Sequence, residues 1–211
     1  TPTAITLTDT AANDTFTNTT GTISATSSGS ITGYGISGGT TGGSDTIGGT
    51  TYDVKKVGTY GTLYVKSSDG SYVYVPNATA VNAVSANQSE TFSVQATDSN
   101  GTGSATLTIN VTGVNDTPTL TAPTAGSYTD TSSSDTFTNT TGTLAGSDRD
   151  TGATLTYGIT GGTTGGSDTV GAITYDVKKV GTYGTLYVKS TTGEYVYVPS
   201  DSAINALSSG T

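Results

Sequence analysis

The chain has 211 residues, with 16 acidic and 7 basic side chains and a formal net charge of -9. Cys, His, Met and Trp are all absent, which excludes disulfides, thiolate or imidazole metal ligands and nucleophilic pairs built on Cys or His. Basic doublets occur only at Lys55-Lys56 and Lys178-Lys179, so a phosphate-binding surface for nucleic acid is not expected. Thr and Ser supply 50 and 25 residues and Gly 30, a composition of strands and turns rather than helices. The 31% apolar content lies below the ~45–50% usual for globular chains, so a disordered stalk competes with a Thr-rich all-β fold. Periodicity favours the fold. No apolar run approaches the ~18 residues of a membrane span, so no membrane insertion is expected in this segment. A start at Thr1-Pro2-Thr3 without Met reads as a processed chain or an excerpt.

In chain order, short strands are expected over Ala4–Leu7, Thr15–Ile23, Ile31–Ile36 and Thr51–Val57. A hairpin then joins Tyr60–Lys66 to Ser71–Pro76 through Ser67-Ser68-Asp69-Gly70. If that loop has an even residue count, Leu63 and Val65 share a face with Tyr72 and Tyr74, while Tyr64 shares the other with Val73 and Val75. Ala78–Val84 is the one candidate for a helical turn in this half, with a counterpart at Ser202–Leu207. The cleanest alternation follows. Phe92, Val94 and Ala96, then Ala105, Leu107, Ile109 and Val111, each alternate with polar residues, and residues 98–103 between them make an antiparallel hairpin. The Gly-rich stretch Gly38–Asp45 has no assigned role. It lacks the Gly-Lys-Ser/Thr ending of a phosphate cradle.

The chain also repeats itself. Ser37–Pro76 aligns on Thr160–Pro199 without gaps, with 33 of 40 positions identical. The run from Asp14 recurs from Asp135, and Thr1-Pro2-Thr3 recurs as Thr117-Pro118-Thr119. Two domains are therefore expected, residues 1–115 and 116–211, each a two-sheet sandwich, joined end to end into a rod. Aligned in this way, the second repeat stops at the counterpart of Gln88 and lacks its last two strands within this chain.

Tyr60-Gly-Thr-Leu, Asp69-Gly-Ser-Tyr-Val-Tyr, Thr91-Phe-Ser-Val-Gln-Ala-Thr-Asp-Ser-Asn-Gly, Val111-Thr-Gly-Val-Asn-Asp-Thr-Pro and Ser147-Asp-Arg-Asp-Thr-Gly-Ala-Thr-Leu-Thr-Tyr occur in this order. Together they resemble the VCBS and cadherin-like repeats of large bacterial surface adhesins. The resemblance implies tandem Ig-like β-sandwiches outside the cell, calcium at the repeat junctions, a role in extending an adhesive tip, and no catalysis. It extends over nearly all of the first repeat and over the second as far as that runs.

Calcium prefers six to eight oxygen ligands. Counting strands from the junction at Asn115 and Asp116 brings Glu90 to that end, then the loop with Asp148 and Asp150, and Asp14 in the first repeat. Clustered carboxylates repel unless a cation joins them, although Asp and Asn also serve ordinary turns. Asp98 and Asn100 either serve a preceding junction or close a plain hairpin turn. Asp148 and Asp150, two residues apart on one turn, are poorly placed for a glycosidase pair.

Eight of the ten asparagines lie in Asn-x-Ser/Thr sequences, of which Asn13, Asn18, Asn77, Asn87, Asn100 and Asn139 are glycosylation candidates in a secreted chain. Tyr64 and Tyr187, opposite the expected core face, are candidates for a contact surface. The expected role is a structural extender of a secreted or cell-surface adhesin, whose partners are neighbouring repeats and, at a distance, surface glycans or matrix. An extracellular filament of identical subunits completed by donated strands is the alternative, and a carbohydrate-binding module a third reading.

Overall fold

A computed structural model describes residues 2–207. Strands hold 47% of the described residues and helix 4%, an all-β composition. Contacts divide it into two units, one of Thr1–Thr117 with Arg149–Gly152, the other of Pro118–Asp148 with Ala153 onward. The division thus falls two residues beyond the expected 115/116 boundary, and a four-residue loop of the second repeat belongs to the first unit.

The first unit contains strands β1 (Ile5–Thr8), β2 (Thr19–Thr22), β3 (Gly33–Ile36), β4 (Thr40–Ile47), β5 (Thr50–Val57), β6 (Gly61–Val65) and β7 (Ser71–Pro76). One helical turn, α1 (Ala78–Val81), precedes the long hairpin β8 (Gln88–Asp98) and β9 (Gly101–Thr112). The strands form two sheets, ordered β1-β9-β8-β3 and β2-β7-β6-β5-β4. One core serves both. Leu7, Phe92, Val94, Leu107 and Ile109 from the first sheet pack with Val54, Leu63, Val65 and Tyr74 from the second. Period-two alternation makes this possible, because every second residue of each strand points to the same side.

The β6–β7 register pairs Leu63 with Tyr74, Val65 with Tyr72 and Tyr64 with Val73, the face assignment that an even loop requires. The β8–β9 turn is tighter than residues 98–103, since Asp98 pairs directly with Gly101. Strand β2 is shorter than Thr15–Ile23.

Gly38–Asp45, to which the sequence assigned no role, supplies most of β4. This strand pairs antiparallel with β5 and is interrupted by a bulge between Thr41 and Asp45. Gly48 and Gly49 take φ of 58° and 83° in the two-residue connection, a hand of backbone that favours glycine. The half-exposed Lys55–Asp45 ion pair at 3.1 Å clips the two strands together. The same clip recurs at 2.9 Å between Lys178 and Asp168.

The second unit contains β10 (Thr119–Leu120), β11 (Thr140–Thr143), β12 (Gly146–Ser147), β13 (Thr163–Val170), β14 (Ile173–Val180), β15 (Gly184–Val188), β16 (Glu194–Pro199) and the turn α2 (Asp201–Ile204). Its sheet β11-β16-β15-β14-β13 reproduces the order β2-β7-β6-β5-β4, and β10 pairs with β12. Among the described residues it has no counterpart of β8 and β9.

Candidate functional site

The chemistry-bearing residues of the first unit gather around Asp9, which directly follows β1 and is fully removed from solvent at 0% exposure. Its backbone N–H donates to the Thr112 carbonyl, continuing the β1–β9 ladder. One carboxylate oxygen, Oδ2, accepts from the Val114 N–H at 3.4 Å, while Oδ1 is buried without a hydrogen bond. Burial pushes the Asp9 carboxyl above its ordinary value of 3.8, and the charges of Asp116, Asp14 and Asp150 push it further.

Asp116 is equally buried. Arg149 grips it with both prongs, Nε to Oδ2 at 3.0 Å and Nη2 to Oδ1 at 2.6 Å, and Nη2 also donates to the Ala11 carbonyl at 2.9 Å. The Asp116 N–H donates in turn to Asp150 Oδ2 at 2.6 Å. Thr151 N–H bonds the Ala83 carbonyl at 3.0 Å, which fixes the 149–152 loop within the unit. Asp14 accepts from the N–H and hydroxyl of Thr10 at 2.6 and 2.9 Å, shaping the 10–14 turn beside Asp9.

Of the expected ligands, Asp14, Asp116 and Asp150 thus lie around Asp9. Asn115 is exposed and donates to the Asp116 carbonyl at 3.0 Å. Asp148 is half-buried and belongs to the second unit. Glu90 is engaged elsewhere. It accepts from the Thr59 N–H at 2.6 Å, the Tyr60 N–H at 3.4 Å and the Tyr74 hydroxyl at 2.8 Å. Burial and that bond to Glu90 push the Tyr74 phenol well above its usual range. Asp98 closes the β8–β9 turn, accepting from the N–H groups of Asn100 and Gly101 at 2.7 and 3.0 Å and from the Ser27 hydroxyl. The Ser27 bond is the main reason its carboxyl lies below the usual value. Both Asp98 and Asn100 therefore perform turn chemistry.

Besides Arg149, two participants escaped the sequence reading. Asp9 sits in a pattern that recurs, since Asp9-Thr10 and Asp14 are matched by Asp130-Thr131 and Asp135, and Asp130 Oδ1 is likewise buried without a hydrogen bond. Asn82, buried behind α1, binds both backbone groups of Asp14. Asn205 does the same for Asp135.

All donors around Asp9 are hard oxygens, the class that calcium takes. Arg149 already neutralises Asp116, and no group of three or more acidic side chains among the described residues is arranged to hold a metal ion. Asp9 keeps one buried carboxylate oxygen that no hydrogen bond satisfies. Because its folded pKa is raised, Asp9 stabilises the fold most while protonated, and that contribution is lost as pH rises through the raised value. Asp9→Asn, in metal-free buffer, is therefore expected to raise the Tm at pH 7 and to have little effect below pH ~3.8. Calorimetry across this range checks it, and a Tm lowered equally at both pH values would contradict it.

Asn13, Asn18, Asn77, Asn87, Asn100 and Asn139 are all exposed. Asn77 also caps α1, accepting from the Ala80 N–H at 3.3 Å. Tyr64 and Tyr187 are half-buried, their rings 6.3 and 6.1 Å from Tyr52 and Tyr175. No helix among the described residues is long and apolar enough to cross a membrane. No family model, curated protein or solved structure matches this chain.

Proposed function

We propose that this chain is a structural extender of a secreted or cell-surface adhesin, built from tandem Ig-like sandwiches of the VCBS and cadherin-like kind and performing no catalysis. Two near-identical repeats that build the same five-stranded sheet support the tandem reading. The observation that carries the calcium part is Asp9, a solvent-free carboxylate with one oxygen lacking a hydrogen bond, among the charges of Asp116, Asp14 and Asp150. A divalent cation would offset the cost of that charge. It would also fix the 149–152 loop against the first repeat, restraining the chain on either side of the loop.

Calcium titration of the chelator-treated chain tests this. The Tm is expected to rise with calcium and fall again on chelation, and Asp9→Asn is expected to abolish the rise. Ligand at ~100 times its Kd adds about 2.7 kcal/mol to the liganded fold. An unchanged Tm at millimolar calcium would remove the metal from the proposal and leave the 149–152 loop held by the Arg149–Asp116 ion pair and its neighbouring hydrogen bonds.

A further inference from the structure

The two repeats share a sheet but differ in what covers it. In the first, Leu63 and Tyr74 are at 0% exposure beneath the β8–β9 hairpin. Their counterparts Leu186 and Tyr197 are half-buried, and Tyr183 and Leu207, in the places of Tyr60 and Val84, are 44% exposed. These four side chains line an open groove of about 630 Å³ in the second unit.

The flanks of the groove define its width. The Thr10–Asp14 turn recurs as Thr131–Asp135, which puts residues 126–129 in the place of β1. Residues 156–159 likewise stand in the place of β3 at the repeat offset. In the first unit β1 and β3 are separated by two strands, in the order β1-β9-β8-β3. Neither 126–129 nor 156–159 is a strand in the second unit, yet Gly126, Tyr128 and Ile159 from these segments line the groove. Strand geometry here depends on a partner, since β1 and β3 gain their ladders from β9 and β8.

The polar chemistry is conserved between the repeats as well. Glu90 of β8 is held by Thr59, Tyr60 and Tyr74, and the second repeat carries Thr182, Tyr183 and Tyr197 at those positions. In place of Leu7 it has Tyr128, whose ring leans on Tyr197 at 5.8 Å and partly fills the space.

We propose that this groove is a receiving site for a two-stranded antiparallel β-hairpin with the chemistry of Gln88–Thr112. Such a hairpin presents alternating apolar residues to the sheet, a glutamate near its first end to Tyr197, and two backbone edges to the flanking segments. It would slot between 126–129 and 156–159 and turn both into strands.

A synthetic peptide of residues 88–112, added to the full chain and followed by titration calorimetry, tests this. One-to-one binding is expected, with amide-exchange protection appearing over 126–129 and 156–159. A peptide carrying Phe92→Asp and Leu107→Asp is expected to bind at least about 100-fold more weakly, because buried charges would face Leu186 and Val188. Glu90→Gln in the peptide is expected to weaken binding about 10-fold, through loss of the charge-assisted bonds. The protein itself is unaltered, so misfolding of a variant cannot produce these results. The proposal is overturned by absent binding, by equal binding of the double-Asp peptide, or by protection confined to the first unit. It is also overturned if sedimentation shows the chain paired with a second copy through this face and indifferent to the peptide.

Discussion

Leu63→Ala is expected to cost about 3–5 kcal/mol, whereas Leu186→Ala, the same change at the same repeat position, is expected to cost about 1 kcal/mol. Leu63 is completely enclosed between the two sheets of the first unit, so truncation removes its transfer energy and leaves a cavity that Phe92, Val94 and Leu107 cannot collapse to fill. Leu186 already faces the open groove, where water replaces the missing methyl groups without a void. The local sequences are nearly identical, so propensity cancels and the difference reports burial alone. Calorimetry of the full chain, with amide exchange assigning each transition to its unit, separates the two effects. Equal losses would show that the face holding Leu186 is covered as completely as the one holding Leu63.

Much of this was legible from residue order. The alternation of Phe92, Val94, Leu107, Ile109 and Val111 specified both the β8–β9 hairpin and its buried face, and the face shared by Leu63, Val65, Tyr72 and Tyr74 followed from an even loop. Strand β4 was not legible, because Gly42, Gly43 and the bulge before Asp45 erase its alternation and its ladder comes from β5. At the candidate site, counting turns brought Asp14, Asp116 and Asp150 together. Glu90 failed for a reason that the same alternation contains. It is two residues before Phe92 and so points to the core side, where Tyr74 meets it, rather than toward the acidic group. Arg149 carries no assignment from the sequence, yet its guanidinium is the counter-charge of Asp116. Asp9 was overlooked because it follows a strand instead of occupying a recognisable turn motif. Burial, which no local pattern states, is what makes it unusual.

Asn82→Ala is expected to destabilise the first unit by about 3 kcal/mol, the sum of three lost hydrogen bonds at roughly 1 kcal/mol each. The Asn82 side chain is 3% exposed. Its Oδ1 accepts from the Asp14 N–H at 2.7 Å, and Nδ2 donates to the carbonyls of Asp14 and Ala78 at 2.9 and 2.7 Å. Alanine leaves the N–H and carbonyl of the half-buried Asp14 without these partners, while the Ala78 carbonyl keeps its bond from the backbone N–H of residue 82. Asn205→Ala removes the equivalent bonds to Asp135 and Asp201, but Asn205 is only half-buried, so water can satisfy part of what is lost and a smaller cost is expected. Asn82→Asp distinguishes geometry from volume. It keeps the shape and the acceptor but loses both donors and places a charge beside Asp14, so its penalty at pH 7 should exceed that of a neutral, protonated side chain at pH ~3. Because Asn82 sets the backbone of Asp14, and the Thr10–Asp14 turn lies beside Asp9, a calcium response centred on Asp9 should weaken in Asn82→Ala even where the fold persists. An Asn82→Ala chain that melts earlier yet gains the full calcium-dependent rise in Tm would show that Asn82 is a brace for the sandwich and has no part in arranging the acidic group.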